Sequence, residues 1–183
     1  MLKKAITTIA GLAIVASVTG AAMAAEPALP NGASSLREQY SDWTVLCGIS
    51  TDKDKKKTKI CSMQQEQVRQ IKNGPSQRVL AVDLKPSESG LEGILVLPLG
   101  LKLADGAVLK IDDGKPQEAM AFRTCLFAGC VADMKIDGKM VGALAKGKTL
   151  SVKSVSDEGK ETPFSISLNG FQSAFNRLQE LTK

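Results

Sequence analysis

From about Tyr40 onward the sequence predicts a mainly β domain of two packed antiparallel sheets. Three observations lead there. Short apolar runs with a period of two recur along the chain, bounded by Gly, Pro, Asp and Lys. About eight or nine such runs can be drawn, a number that favours a sandwich. Four cysteines, Cys47, Cys61, Cys125 and Cys130, form two short-range pairs suited to stapling hairpins, as is common in oxidising compartments.

The first two dozen residues have the organisation of an export signal. Lys3 and Lys4 give a positive start, Ala5 to Val18 is largely apolar, and Ala22-Met23-Ala24 places small residues where a signal peptidase reads them. Cleavage is expected after Ala24, leaving no transmembrane segment. The first cysteine is Cys47, too far from that site for a lipid-anchored precursor. Residues 25–38 are rich in turn formers and read as a flexible leader, with the β-sandwich domain over 39–183. A periplasmic or envelope-associated location follows, either retained inside or surface-exposed and secreted.

The strands follow from alternation. Trp43, Val45 and Cys47 form one inward set; Leu80, Val82 and Leu84 form a second. From Leu95 to Leu103 five leucines alternate with Val96, Pro98, Gly100 and Lys102, which puts all five on one face. Pro98 cannot donate to a ladder, so this strand is expected at an edge or a bulge. Phe164, Ile166 and Leu168 share a face opposite Ser165 and Ser167. Further strands are expected over Lys59 to Val68, Val108 to Ile111, Met120 to Leu126, Cys130 to Ile136 and Leu150 to Val155. Asp105-Gly106, Asp113-Gly114 and Glu158-Gly159 supply turns.

Two helices interrupt the β pattern. Asp137 can cap a short helix carrying Met140 and Leu144, with Gly147 placed to end it. After Asn169, the spacing of Phe171, Phe175 and Leu178 predicts a terminal helix that packs on the core.

The cysteines are expected to be structural. Only four residues separate Cys125 from Cys130, the length of a tight hairpin loop whose flanking residues face each other. Cys47 and Cys61 can close a longer hairpin, for which the chain-entropy model gives about 3 kcal/mol. Four cysteines allow three connectivities; the local pairing is favoured, without the sequence choosing among them. Neither spacing fits zinc ligands or a redox pair, so no metal is expected.

Between these cysteines lie Lys53, Lys55, Lys56, Lys57 and Lys59, a basic tip on a stapled hairpin. It is a candidate contact for acidic lipid, polysaccharide or protein, against the plainer role of solubilising an exposed hairpin. Catalytic signals are sparse. The chain has no histidine, which excludes Ser-His-Asp and Cys-His catalysis. Ser50 and Lys53 form an S-x-x-K string without its companion motifs, and Asp112 and Asp113 read as turn residues. A net charge of +5 with one Trp and one Tyr gives no stacking platform for nucleic acid.

One ordered set of residues spans about residues 40 to 181. Trp43 stands four residues before Cys47; Cys61-Ser62-Met63-Gln64-Gln65 and Leu97-Pro98-Leu99-Gly100-Leu101 follow. Phe122-Arg123-Thr124-Cys125, Gly129-Cys130 and Gly170-Phe171 complete it. In order and spacing this set resembles the invasion-associated locus B family of Gram-negative bacteria. The resemblance implies an exported protein with an immunoglobulin-like β-sandwich, in a family named for bacterial entry into host cells. It implies no enzyme activity and no cofactor.

The expected function is therefore non-enzymatic binding in the bacterial envelope, to a protein or a host-surface ligand, with a contribution to host-cell interaction or invasion. A second reading is a periplasmic accessory protein that holds polysaccharide or lipid through the lysine loop. A third is a carboxylate-dependent cell-wall hydrolase, which would not need histidine.

Overall fold

The computed structural model describes residues 28–72 and 74–183. The expected export signal, and the first residues of the expected leader, lie outside the described residues. Ten strands and two α-helices follow in the order β1 (Ser35–Tyr40), β2 (Trp43–Thr51), β3 (Lys57–Gln70), β4 (Ser76–Ser87), β5 (Gly90–Leu97), β6 (Val108–Ile111), β7 (Phe122–Leu126), β8 (Gly129–Asp137), α1 (Gly138–Lys146), β9 (Thr149–Val155), β10 (Glu161–Ser167) and α2 (Phe171–Thr182). Seven strands form one sheet in the order β1-β2-β3-β4-β5-β8-β7, and three form a second in the order β10-β9-β6. Every pairing is antiparallel. The fold is the mainly β sandwich that the apolar alternation predicts.

The inward sets meet in one core. Trp43, Val45, Met63, Leu80, Val82, Leu84, Leu95 and Leu97 from the large sheet are buried, as are Leu109, Leu150, Val152 and Ile166 from the small one. Burying each large apolar side chain contributes about 1.5 to 3 kcal/mol against exposure. The terminal helix α2 packs on β1 to β4 of the large sheet and on α1. Phe171 stands edge-on to Trp43 at 5.2 Å between ring centroids and stacks on Phe175.

Both helices begin and end for identifiable reasons. The Asp137 side chain accepts from the Met140 N–H at 2.7 Å, which caps α1. Gly147 ends it without a left-handed turn, since its φ is −75°. The site is crowded: a Cβ would lie 2.8 Å from Ile111 Cγ2 and 2.9 Å from Leu168 Cδ1, so those side chains would have to shift. Before α2, Gly170 has φ 86°, and a Cβ would sit 2.0 Å from the Tyr40 carbonyl oxygen.

Two expectations are corrected. Residues 35–38 belong to β1, and Leu29 is buried, so much of the expected flexible leader (25–38) is part of the fold. Ser-Leu-Arg-Glu-Gln-Tyr is mostly polar; its strand pairs with β2 along its whole length, packs Leu36 and Tyr40 against the core, and is tied to α2 through Glu38. Arg177 of α2 donates to both carboxylate oxygens of Glu38, at 2.7 and 2.9 Å, and the Tyr40 hydroxyl donates to Glu38 at 2.8 Å. The second correction concerns the five leucines. The strand stops at Leu97 and lies centrally between β4 and β8, not at an edge. Pro98 and Gly100, the latter at φ 85°, turn the chain toward the small sheet. Leu99 and Leu103 are consequently exposed while Leu101 is buried.

The β1–α2 link gives a pH-dependent expectation. Hydrogen bonding from Arg177 holds the Glu38 carboxyl below the usual glutamate range; burial opposes this, and the Tyr40 hydroxyl adds to the lowering. A carboxyl lowered by folding stabilises above its unfolded pKa and loses that contribution as pH falls through the folded value. Glu38→Gln should cost about 1 kcal/mol near neutral pH. Urea unfolding at several pH values should show the gap from wild type closing below about pH 4.3.

Candidate binding surface

The β2–β3 hairpin presents the lysines. Cys47 and Cys61 are directly opposed in the ladder, both buried, and are joined by a disulfide with Cα atoms 4.1 Å apart. Pairing of β3 with β4 begins only at Met63 with Leu84, so from Lys57 to Ser62 the strand pairs with β2 alone. The hairpin outboard of the disulfide is therefore a narrow arm, flanked at its base by β1.

Its turn is built by Asp52. The Asp52 Oδ1 accepts from the Asp54 and Lys56 N–H groups, each at 2.9 Å, and the Asp52 carbonyl accepts from Lys55 N–H at 3.1 Å. Lys55 takes a left-handed conformation at φ 61° to close the turn. Lys53, Lys55, Lys56 and Lys57 are exposed, and Lys59 is half-buried. All five lysines thus share one arm, with the Asp52 carboxylate committed to the backbone beneath them.

The remaining sequence candidates are dispersed. Ser50 pairs with Thr58 in the arm and Lys53 lies in the turn, so their S-x-x-K string forms no enclosed site. The Asp112 carboxylate accepts from the N–H groups of Lys148 and Thr149, at 3.1 and 2.8 Å, which ties the end of β6 to the start of β9. Among the described residues no group of three or more His, Cys, Asp or Glu side chains is placed to hold a metal. Asp83, on the large sheet, has its carboxyl pushed up by burial, opposed by hydrogen bonding from Ser62 at 3.2 Å.

The second stapled hairpin is β7–β8. Cys125 and Cys130 are opposed and bonded, with Cα atoms 3.9 Å apart, and Leu126 pairs with Gly129. Phe127 and Ala128 form the tip.

Sequence reasoning missed Gln65. Alternation on β3 puts Cys61, Met63 and Gln65 on the inward face, where an amide side chain is unexpected. Gln65 is nevertheless buried, and its amide donates to the Ser167 carbonyl at 2.9 Å and accepts from the Ser167 N–H at 3.1 Å. The Trp43 indole N–H donates to the same carbonyl at 2.9 Å. Two residues from the start of the ordered set thus converge on one backbone position just before its end.

The family model of the invasion associated locus B (IalB) protein matches residues 43–179. The chain belongs to the IalB family. An invasion protein B homolog of Brucella abortus (strain 2308) is 41% identical over 175 residues, spanning 94% of this chain and 96% of the relative. Invasion protein B of Bartonella bacilliformis is 35% identical over 159 residues, 85% of this chain and 81% of that one. A crystal structure of invasion associated protein B from Bartonella henselae matches with a TM-score of 0.68 at 31% identity, covering 80% of this chain and 97% of that chain. In the IalB chain described here, the ordered residues that carry the resemblance fall on the disulfides, on the Pro98–Gly100 crossover and on the Trp43 and Gln65 contacts with Ser167.

The two disulfides close loops of different length, with sequence separations of 14 and 5. Replacing both Cys47 and Cys61 by Ser should destabilise by about 3 kcal/mol, and replacing both Cys125 and Cys130 by about 2. Denaturant unfolding of the oxidised protein and the two double variants checks the order; equal midpoints in all three proteins would contradict it.

Proposed function

We propose that this IalB-family chain is an exported, non-enzymatic binding protein of the bacterial envelope, and that its lysine arm contacts an acidic ligand on a cell surface. The observation that carries this reading is the arm itself. Five lysines extend beyond a buried disulfide against two acidic residues, Asp52 and Asp54, of which the Asp52 carboxylate is occupied by backbone N–H groups. A rigid, locally cationic tip raises encounter rates with acidic surfaces and loses little entropy on docking.

One finding supports the compartment: all four cysteines are bonded in two pairs, as is usual in an oxidising environment. The relatives are named for invasion, which favours a ligand met at a host surface over one inside the envelope. The accessory reading, in which the arm holds an envelope polysaccharide, uses the same lysines and differs in location.

Exchanging Lys53, Lys55 and Lys56 for Ser should leave stability unchanged, because these side chains are exposed. The same exchange should weaken binding of the purified protein to host cells by about tenfold, and added salt should weaken the wild type similarly. Equal binding by variant and wild type would overturn the role of the arm. Protease shaving of intact bacteria locates the protein, and release of sugar from cell-wall glycan by the purified chain would contradict the non-enzymatic reading.

A further inference from the structure

Seven large apolar side chains among the described residues are strongly exposed, and five of them lie at one end of the large sheet. Val68 and Ile71 stand at the end of β3, Leu99 just past β5, and Leu126 and Phe127 at the β7–β8 tip. Antiparallel register brings these ends together, since Val68 pairs with Arg78 at the start of β4. Ser76, Gln77 and Arg78 in turn line one shallow depression with Pro98, Leu99 and Phe127. Phe127 is 99% exposed, on a two-residue turn closed by the Cys125–Cys130 disulfide. A soluble surface rarely holds so many large apolar groups together without a use for them.

The charges at this end are mostly positive. Arg69 and Lys72 are exposed, and no carboxylate is paired with either among the described residues. Arg78 and Arg123 are also present, in ion pairs with Glu66 and Asp133. The lysine arm lies at the opposite end of the strands, so this rim is a separate feature.

We propose that this end seats on an anionic phospholipid bilayer, with Phe127 and Leu126 entering the interface and Arg69 and Lys72 facing the headgroups. Shape favours a bilayer over a protein. The apolar groups form a convex tip beside a shallow depression, while a stable protein interface needs about 1,200 to 2,000 Å² of complementary surface. A lipid interface demands no such fit and takes apolar side chains flanked by cations. Closure of the hairpin by the disulfide holds Phe127 outward, so little order has to be gained on insertion.

Vesicle sedimentation of the exported, processed chain tests this. Wild type should partition onto vesicles of phosphatidylethanolamine and phosphatidylglycerol more strongly than onto phosphatidylcholine, and Phe127→Ser should lower that partition by about tenfold or more. Phe127 makes no core contact, so circular dichroism of the variant should match wild type. In Phe127→Trp, emission should shift to the blue on adding the anionic vesicles, over the constant signal of buried Trp43. Equal partition of wild type and Phe127→Ser, or an unshifted Phe127→Trp, would overturn the proposal. So would loss of vesicle binding in the Lys53, Lys55 and Lys56 variant with retention in Phe127→Ser, which would assign lipid to the arm. A concentration-dependent dimer abolished by Phe127→Ser, with no vesicle binding, would overturn it in favour of a second copy. Cell binding through the arm is read separately, so either idea can fail alone.

Discussion

Ser167 closes the edge strand β10, and its N–H and carbonyl, half-buried, point away from β9 with no strand beside them. Gln65 supplies the missing pairing from the inner face of β3, donating to the carbonyl and accepting from the N–H. Gln67, one step further along the same face, donates to the Ser165 carbonyl at 2.6 Å. Two side-chain amides thus stand in for a neighbouring strand along an edge that is half-buried at Ser167 and exposed at Ser165, and at Ser167 they satisfy groups that would otherwise cost about 1 kcal/mol each. The Trp43 indole adds a second donor to Ser167 and carries the contact on to Phe171 and helix α2. Ser167 Oγ also donates to Asp42 at 2.6 Å, which ties in the β1–β2 turn. The relative placement of two sheets and a helix therefore converges on one residue.

The parts of the fold legible in the sequence are those whose causes are local. Period-two apolar runs locate β2, β4, β6, β8, β9 and β10, because each buries one face. Asp137 and the Phe171 spacing locate the helices, because caps and amphipathic stripes act within a turn or two. β1 was illegible: its six residues are mostly polar, only Leu36 and Tyr40 reach the core, and the guanidinium that pairs with Glu38 between them lies far along the chain. Gln65 was illegible for a related reason. An amide on an inward face reads as a break in the pattern until the partner strand is known, and that strand lies a hundred residues downstream. Pro98 carried a true signal that the ladder ends, read as an edge or a bulge within a longer strand because alternating leucines continue past it.

The candidate surfaces divide the same way. The lysine arm is visible from composition and cysteine spacing alone, and the structure adds the turn that commits Asp52 and the divergence of β3 from β4. The apolar end is invisible in sequence, since Val68, Leu99 and Leu126 read as members of separate strand runs; only strand register gathers them with Ile71 and Phe127. Each disulfide stands at the base of one exposed tip, one cationic and one apolar. A frame made rigid by the Gln65–Ser167 join would hold these tips apart, one free to meet a ligand while the other meets a lipid surface.

That join can be measured directly with Gln65→Met, which keeps the size of the side chain and removes both hydrogen bonds. Amide hydrogen exchange and denaturant unfolding would be followed together. The expected result is loss of protection at the Ser167 N–H, faster exchange across β9 and β10 than across β4 and β5, and a fall in stability of about 2 kcal/mol. Unchanged protection at Ser167, with stability within about 0.5 kcal/mol of wild type, would contradict the claim that this contact sets the two sheets in place.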